Sequence, residues 1–287
     1  VENLEKINVR VECDHHEVGP SQHEINLGYL SASDMALTAM FYRILAKQVA
    51  RKLGAHLTFM PKPLFGKNGS GMHIHQSLFR ESAGGEQNAF FNPDNPLHLS
   101  DTAKKYITGI LKHAPEIAAV TNPWVNSYQR LVPGYEAPTY VAWGQKNRSA
   151  LVRVPLYQPG REKATRIEAR FPDPSCNIPL AFAMMLGAGL NGIEQGYTLQ
   201  PPTEQDIFEL TESKRTELGL ATLPANLKEA TDILENSQLA KQVLGSHIHA
   251  KLVENQRTEW KEYSREVQGK DREDHLVSVY ELKTFLP

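Results

Sequence analysis

Only two cysteines, Cys13 and Cys176, occur among the 287 residues. Cysteine this sparse excludes a disulfide-stapled scaffold and fits a reducing compartment, so a cytoplasmic location is expected. Nor does charge of one sign dominate. The formal net charge is -2, and Lys and Arg are interspersed with Asp and Glu, which removes the bulk electrostatic case for nucleic acid. Long apolar runs are missing too: the most apolar helical stretch, Leu180–Leu190, is too short to cross a bilayer. Val1–Asn8 carries Glu2, Glu5 and Lys6 without the apolar centre of a signal peptide. With no initiator Met, the chain reads as a processed product or a fragment. Gly-x-Ser-x-Gly and His-Glu-x-x-His motifs are absent, and Asn68-Gly69-Ser70-Gly71 lacks the Lys-Ser/Thr ending of a P-loop.

What is present is a set of polar faces on apolar strands. Gly71–Phe79 places His73, His75 and Ser77 on one face, and Thr165–Phe171 does the same with Arg166, Glu168 and Arg170. Burying such charges is costly unless something in the site compensates them. An enzyme is the reading that follows.

The pattern predicts a strand over Ile7–Cys13, then Gln22–Leu30 after a Gly-Pro-Ser turn. Ser33 reads as the N-cap of a helix of about twenty residues closed by Gly54, with Leu37, Phe41, Ile44, Leu45 and Val49 as its core-facing stripe. His56–Met60 is strand-like, and residues 80–100 read as a surface excursion. A short helix is expected over Asp101–His113, stopped near Pro115. Pro123–Gly144 reads as an ordered loop at the site. Strands follow at Ser149–Pro155 and Thr165–Phe171, then a buried helix over about 180–195 and a charged helical remainder whose longest member is Leu239–Tyr263. Strands before residue 172 and helices after it indicate α+β. Residues 1–200 would hold the sheet and packed helices, and 201–287 a helical C-terminal region.

Glu17 and Glu24 lie on either side of a turn. Two close carboxylates repel unless a cation or proton separates them, and hard divalent ions prefer oxygen ligands; solvated surface acids are the alternative. His15 and His16 add little, because adjacent strand residues face opposite sides. His73 and His75 share a face, as a packed pair or with one histidine on a metal and the other near a nucleotide. The Asn68–Gly71 turn could cradle a ligand with backbone N–H groups or be an ordinary hairpin turn. Arg130, Arg148, Arg153, Arg166 and Arg170 supply the cations that a transferring phosphoryl group needs, although a cross-strand ion-pair ladder would also place them there. The residues alone thus lead to phosphoryl chemistry with a divalent metal.

The same segments resemble the catalytic domain of prokaryotic-type glutamine synthetase. The resemblance is carried by Glu12–Glu24, Phe59–His75, Asn126–Glu136, Asn147–Ala150 and Arg166–Pro174, in family order and over most of residues 10–190. It implies one catalytic domain over 1–287, α+β, with a curved, largely antiparallel sheet forming the active site, flanked by helices, and a helical C-terminal region. It also implies ligation in two steps: glutamate attacks the terminal phosphoryl of ATP, and ammonia converts the acyl phosphate to glutamine. Two Mg²⁺ or Mn²⁺ ions would assist. By resemblance, Glu17 and Glu24 are ligands of one metal, His73 and Glu168 of the other. Asn68, Gly69, Arg130 and Arg170 would contact glutamate and phosphoryl groups, and His73 would border the same substrate pocket. Glu136 is the carboxylate of a closing flap that helps the ammonia step. Arg148 and Arg153 bind phosphate, with Arg148 stabilising transfer, and His75, Ser77, Lys163 and Arg166 line the nucleotide side.

The family also implies a homo-oligomer of two stacked six-membered rings and an N-terminal domain ahead of this region. A strand with two further metal-binding glutamates, one for each ion, has no counterpart in this sequence. Each metal site is therefore expected to be one ligand short and the chain alone poorly active. Phe208 stands where some bacterial members carry an adenylylated tyrosine. A relative joining glutamate to another amine, a non-catalytic relative and a simple metal-binding domain are the alternatives.

Overall fold

In the computed structural model, residues 1–82, 85–132, 137–267 and 277–286 are described. A short helix α1 (Glu2–Glu5) precedes a hairpin of β1 (Val11–His16) and β2 (His23–Leu27), followed by α2 (Ala32–Lys52). Next come β3 (Ile74–Gln76), β4 (Phe79–Arg80) and β5 (Gln87–Asn88), then α3 (Asp101–Thr121) and α4 (Ser127–Arg130). The remaining strands are β6 (Tyr140–Gly144), β7 (Ala150–Arg153) and β8 (Ile167–Ala169). The rest is helical: α5 (Ile178–Glu194), α6 (Glu212–Glu217), α7 (Leu227–Asn236), α8 (Gln238–Glu266) and α9 (Val279–Phe285). The α+β class stands.

The principal sheet has the order β3-β8-β7-β6. Its β3–β8 and β7–β8 pairs are antiparallel, but β6 and β7 run parallel, so the sheet is mixed. Long α3 packs against both β6 and β7 and along α5. Ile107, Ile110 and Ile117 of α3 meet Leu151, Ile167, Phe171 and Met184 in one buried core. The close approach of α3 to α5 is set by Gly109 and Gly192, whose Cα positions face each other without room for a Cβ. Among the described residues, no helix is long and apolar enough to cross a membrane.

Several expectations change. The first strand is Val11–His16, not Ile7–Cys13, because residues 2–8 turn through α1 and Asn8 adopts a positive φ of 60°. The helix after the hairpin is capped by Ser31, whose Oγ accepts from the Asp34 N–H, two residues ahead of Ser33. Part of its apolar stripe faces outward: Leu37, Phe41 and Ile44 are 65%, 50% and 61% exposed, while Leu45 and Val49 are half-buried. The small residues Ala36 and Ala39 dock instead against Ile178, Ala181 and Phe182, and Arg43 Nη1 donates to the carbonyls of Pro174 and Cys176. His56–Met60 forms no ladder. Phe90 and Leu99, within the expected surface excursion, are fully buried.

Pro115 does not end α3, which continues to Thr121. Burial of Ile117, Ala118, Ala119 and Val120 in the next turns offsets the missing N–H bond. The 29-residue α8 spans the predicted Leu239–Tyr263, with a break at Gly245, whose φ is 73°.

Candidate active site

Two clusters of polar side chains form. The first lies on the hairpin, where antiparallel register sets His15 directly opposite Glu24. His15 Nε2 is 2.8 Å from Glu17 Oε1, and ligand atoms of His15, Glu17 and Glu24 all lie within 4.8 Å of one another. Burial and the neighbouring Glu17 carboxylate raise the Glu24 carboxyl above its ordinary value. For Glu17, burial acts upward but is outweighed by hydrogen bonds from His15 and Glu24, and the group is lowered. Two carboxylates sharing protons beside an imidazole form a donor set that fits a hard or borderline divalent cation. His15 is the ligand candidate that sequence reasoning set aside. Alternation correctly separates His15 from His16, but only the cross-strand register reveals that His15 shares a face with Glu24.

The second cluster is built on the principal sheet. His75 of β3 and Arg153 of β7 are the register partners of Glu168 on the central strand β8. Glu168 is 2% exposed. Its Oε2 accepts from Arg153 Nη1 at 2.5 Å, Oε1 accepts from Arg170 Nη1, and His73 Nδ1 lies 3.3 Å from Oε1. Burial works to raise the Glu168 carboxyl, but the Arg170 and Arg153 charges hold it below its ordinary value. His73 is held down to about 3 by burial and the Arg170 charge, so its imidazole is neutral. A neutral imidazole and an ionised carboxylate are the ligand forms a metal takes. They fit one, although both carboxylate oxygens also meet arginines and, among the described residues, His73 and Glu168 are the two donors brought together here.

Arg130 occupies the end of α4, 3% exposed. Its Nη1 donates to the Phe171 carbonyl at 2.8 Å and its Nη2 to the Arg170 carbonyl at 3.1 Å. A Cβ built on Gly69 would stand 2.5 Å from the Pro61 carbonyl and 2.9 Å from Arg130 Cγ, and one on Gly71 would meet Arg130 Nη2 at 2.5 Å. Arg130 therefore joins the 68–71 loop to the end of β8, and only glycine permits so close an approach. Gln22 Nε2 donates to the Gly69 carbonyl at 3.0 Å and to Ser70 Oγ at 3.1 Å, which ties the hairpin to the same loop.

The remaining expected positions scatter outward. Arg166 Nε donates to His75 Nδ1 at 3.1 Å, and burial lowers His75. Ser77 follows β3 on the same strand path and is half-buried. Lys163 lies in a 3-10 turn, its carbonyl accepting from Asn88 Nδ2. Exposed Arg148 offers its carbonyl to Arg170 Nε at 3.1 Å. Asn68 is half-buried beside Gly69. Glu136 lies outside the described residues.

The glutamine synthetase catalytic-domain family matches residues 1–275. The chain belongs to this family. It is 47% identical over 286 residues to glutamine synthetase of Mycolicibacterium smegmatis, covering 100% of this chain and 61% of that protein. Against the Thermotoga maritima glutamine synthetase it is 49% identical over 273 residues, 95% of this chain and 61% of the relative. The chain thus spans about 61% of the length of these curated relatives. Among solved structures, a GmaS–ADP complex superposes with a TM-score of 0.82 at 31% identity, covering 99% of this chain and 62% of that one. GmaS without ligand superposes with a TM-score of 0.81 at the same identity.

Proposed function

We propose that this chain is the metal- and nucleotide-binding part of an ATP-dependent ligase that joins glutamate to an amine through a γ-glutamyl phosphate. The observation that carries the reading is Glu168 held between Arg153, Arg170 and His73 on the face of the central strand. An ionised carboxylate among fixed cations is a preorganised seat for a phosphoryl group and its counter-ion.

Asn68, Gly69, Arg130 and Arg170 would surround glutamate. Arg148 and Arg153 would meet phosphate, and His75, Ser77, Lys163 and Arg166 the nucleotide. A glutamate side-chain oxygen attacks the terminal phosphorus as the bond to ADP breaks. The amine nitrogen then attacks the acyl carbon, phosphate leaves, and the nitrogen passes a proton to Glu136. Mg²⁺ or Mn²⁺ held by Glu17 and Glu24, with His15, and by His73 and Glu168 would supply charge neutralisation.

Ammonia is one acceptor within this reading; another amine is the other. The curated relatives named above are glutamine synthetases, whereas the solved structures named above are of GmaS, so we assign the pocket to amines as a class. A cytoplasmic homo-oligomer, with two stacked hexameric rings as its form, is part of the same proposal. The outward Leu37, Phe41 and Ile44 support such association. The test is ADP release with Mg²⁺, ATP and glutamate, using ammonium and then a series of alkylammonium ions, with the amide product identified. Amide formation in step with ADP establishes ligation, and the amine giving the highest kcat/KM fixes the acceptor. ADP released without any amide would overturn the reading.

A further inference from the structure

The C-terminal helix ends a chain of buried hydrogen bonds that leads back to the site. Ser278 caps α9 in a reciprocal box: its Oγ accepts from the Glu281 N–H at 3.2 Å, and Glu281 Oε2 accepts from the Ser278 N–H at 2.8 Å. That arrangement uses only one carboxylate oxygen. The other, Oε1, accepts from Asn126 Nδ2 at 2.9 Å. Both Glu281 and Asn126 are 0% exposed. A helix cap alone has no need of a fully buried carboxylate, since Gln serves in the same box on a surface.

Asn126 then brackets the backbone of Lys62. Its Oδ1 accepts from the Lys62 N–H at 2.7 Å, and its Nδ2 donates to the Lys62 carbonyl at 3.0 Å. The next contacts reach the loop at two points. Lys62 Nζ donates to the Lys67 carbonyl, and the Ser70 N–H donates to the Pro61 carbonyl at 2.8 Å. These bonds flank Asn68 and Gly69. Asn126 also immediately precedes α4, whose Arg130 grips the other side of that loop.

We propose that Glu281 is a positioning residue for the 68–71 loop, acting through Asn126 and Lys62. The statement that this loop meets glutamate rests on the function proposed above; the coupling of α9 to the loop does not. The chemistry requires a carboxylate. In Glu281→Gln one oxygen becomes an N–H donor, which must oppose either Asn126 Nδ2 or the Ser278 N–H, both donors themselves. No cavity is made, so the change isolates the polar link.

The test is amide hydrogen exchange of the whole chain, comparing wild type, E281Q and S278A. In E281Q, amides of residues 61–71 exchange about tenfold faster, the size expected for one buried donor left unsatisfied. In S278A, α9 itself loosens while residues 61–71 keep wild-type rates, because the Glu281–Asn126 bond survives. E281D retains a capping carboxylate one methylene shorter and gives the same loop shift if E281Q does not fold. Wild-type exchange over 61–71 in a folded E281Q or E281D overturns the proposal. Ligase kinetics form a separate arm: E281Q raises KM for glutamate several-fold with a smaller change in kcat. Faster loop exchange with unchanged KM keeps the coupling and removes glutamate from the loop.

Discussion

Arg153 and Glu168 are register partners on adjacent antiparallel strands, and their side chains close an ion pair of 2.5 Å across that same register. The carboxylate is thereby fixed by the sheet itself, with Arg170 on its second oxygen. Replacing Glu168 with Gln leaves Arg170, whose side chain is 9% exposed, without its counter-charge. Breaking a buried pair in this way costs about 3 kcal/mol or more. The expected outcome is a clearly lowered urea midpoint for E168Q together with lost nucleotide binding. A midpoint within error of wild type would show that the arginines find other partners.

The hairpin cluster makes a separable prediction about metal. Mn²⁺ binding followed by calorimetry should weaken about tenfold or more in E24Q and in H15A, because each removes one of few donors. H75A should leave this site intact, since His75 belongs to the sheet. If H15A binds Mn²⁺ as wild type does, His15 only orients Glu17 through their 2.8 Å contact.

Much of this arrangement is legible in the sequence. Alternation in Thr165–Phe171 gave the polar face of β8, whereas the glycines at 69 and 71, which read as a ligand cradle or a hairpin turn, admit the Arg130 side chain. The places where the reading failed share a cause: each depended on a partner distant in sequence. His15 already shares a parity with Glu17, but it meets Glu24 only through hairpin register. The stripe of α2 is real, but periodicity cannot say which face docks, and Ala36 and Ala39 provide the closer contact. Pro115 is tolerated because burial after it outweighs a lost hydrogen bond, a balance invisible to local propensity. Glu281, nearly at the end of the chain, carries only the Ser-x-x-Glu signature of a helix cap, which says nothing of its second oxygen. Only folding brings it to Asn126.

Glu259 on α8 gives the protein a pH dependence away from the site. Its Oε1 accepts from the Val125 N–H at 2.8 Å, which favours the ionised form, but burial wins and raises the carboxyl to about 7. The folded state therefore binds this proton more tightly than the unfolded chain, whose ordinary value is 4.5. Its contribution is fully present below pH 4.5 and is lost as pH rises to about 7, an effect of about 3 kcal/mol at most. Against the background of other groups, Glu259→Gln should remove that slope: the wild-type minus E259Q stability difference changes between pH 4.5 and 7 and is flat above. A difference constant across the whole interval would place the carboxyl in an ordinary, solvated state.

Gly109 and Gly192 decide how closely α3 and α5 can approach. A Cβ on Gly109 would collide with the Ala188 carbonyl and lie 2.9 Å from Gly192 Cα, and one on Gly192 would collide with the Lys105 carbonyl. These obstacles are backbone, so no side chain can swing aside. Helix propensity alone would favour Ala at position 109 by about 1 kcal/mol. Steric overlap opposes it, and overpacking of this kind costs about 1–3 kcal/mol or more. G109A should therefore lower the thermal midpoint, and G109A/G192A should lower it by less than the sum of the two single changes. The reason is geometric: once the helices have been forced apart by one methyl, the second finds part of its space already opened. An additive double variant would mean that each glycine serves a separate contact, and a more stable G109A would mean that propensity outweighs the crossing.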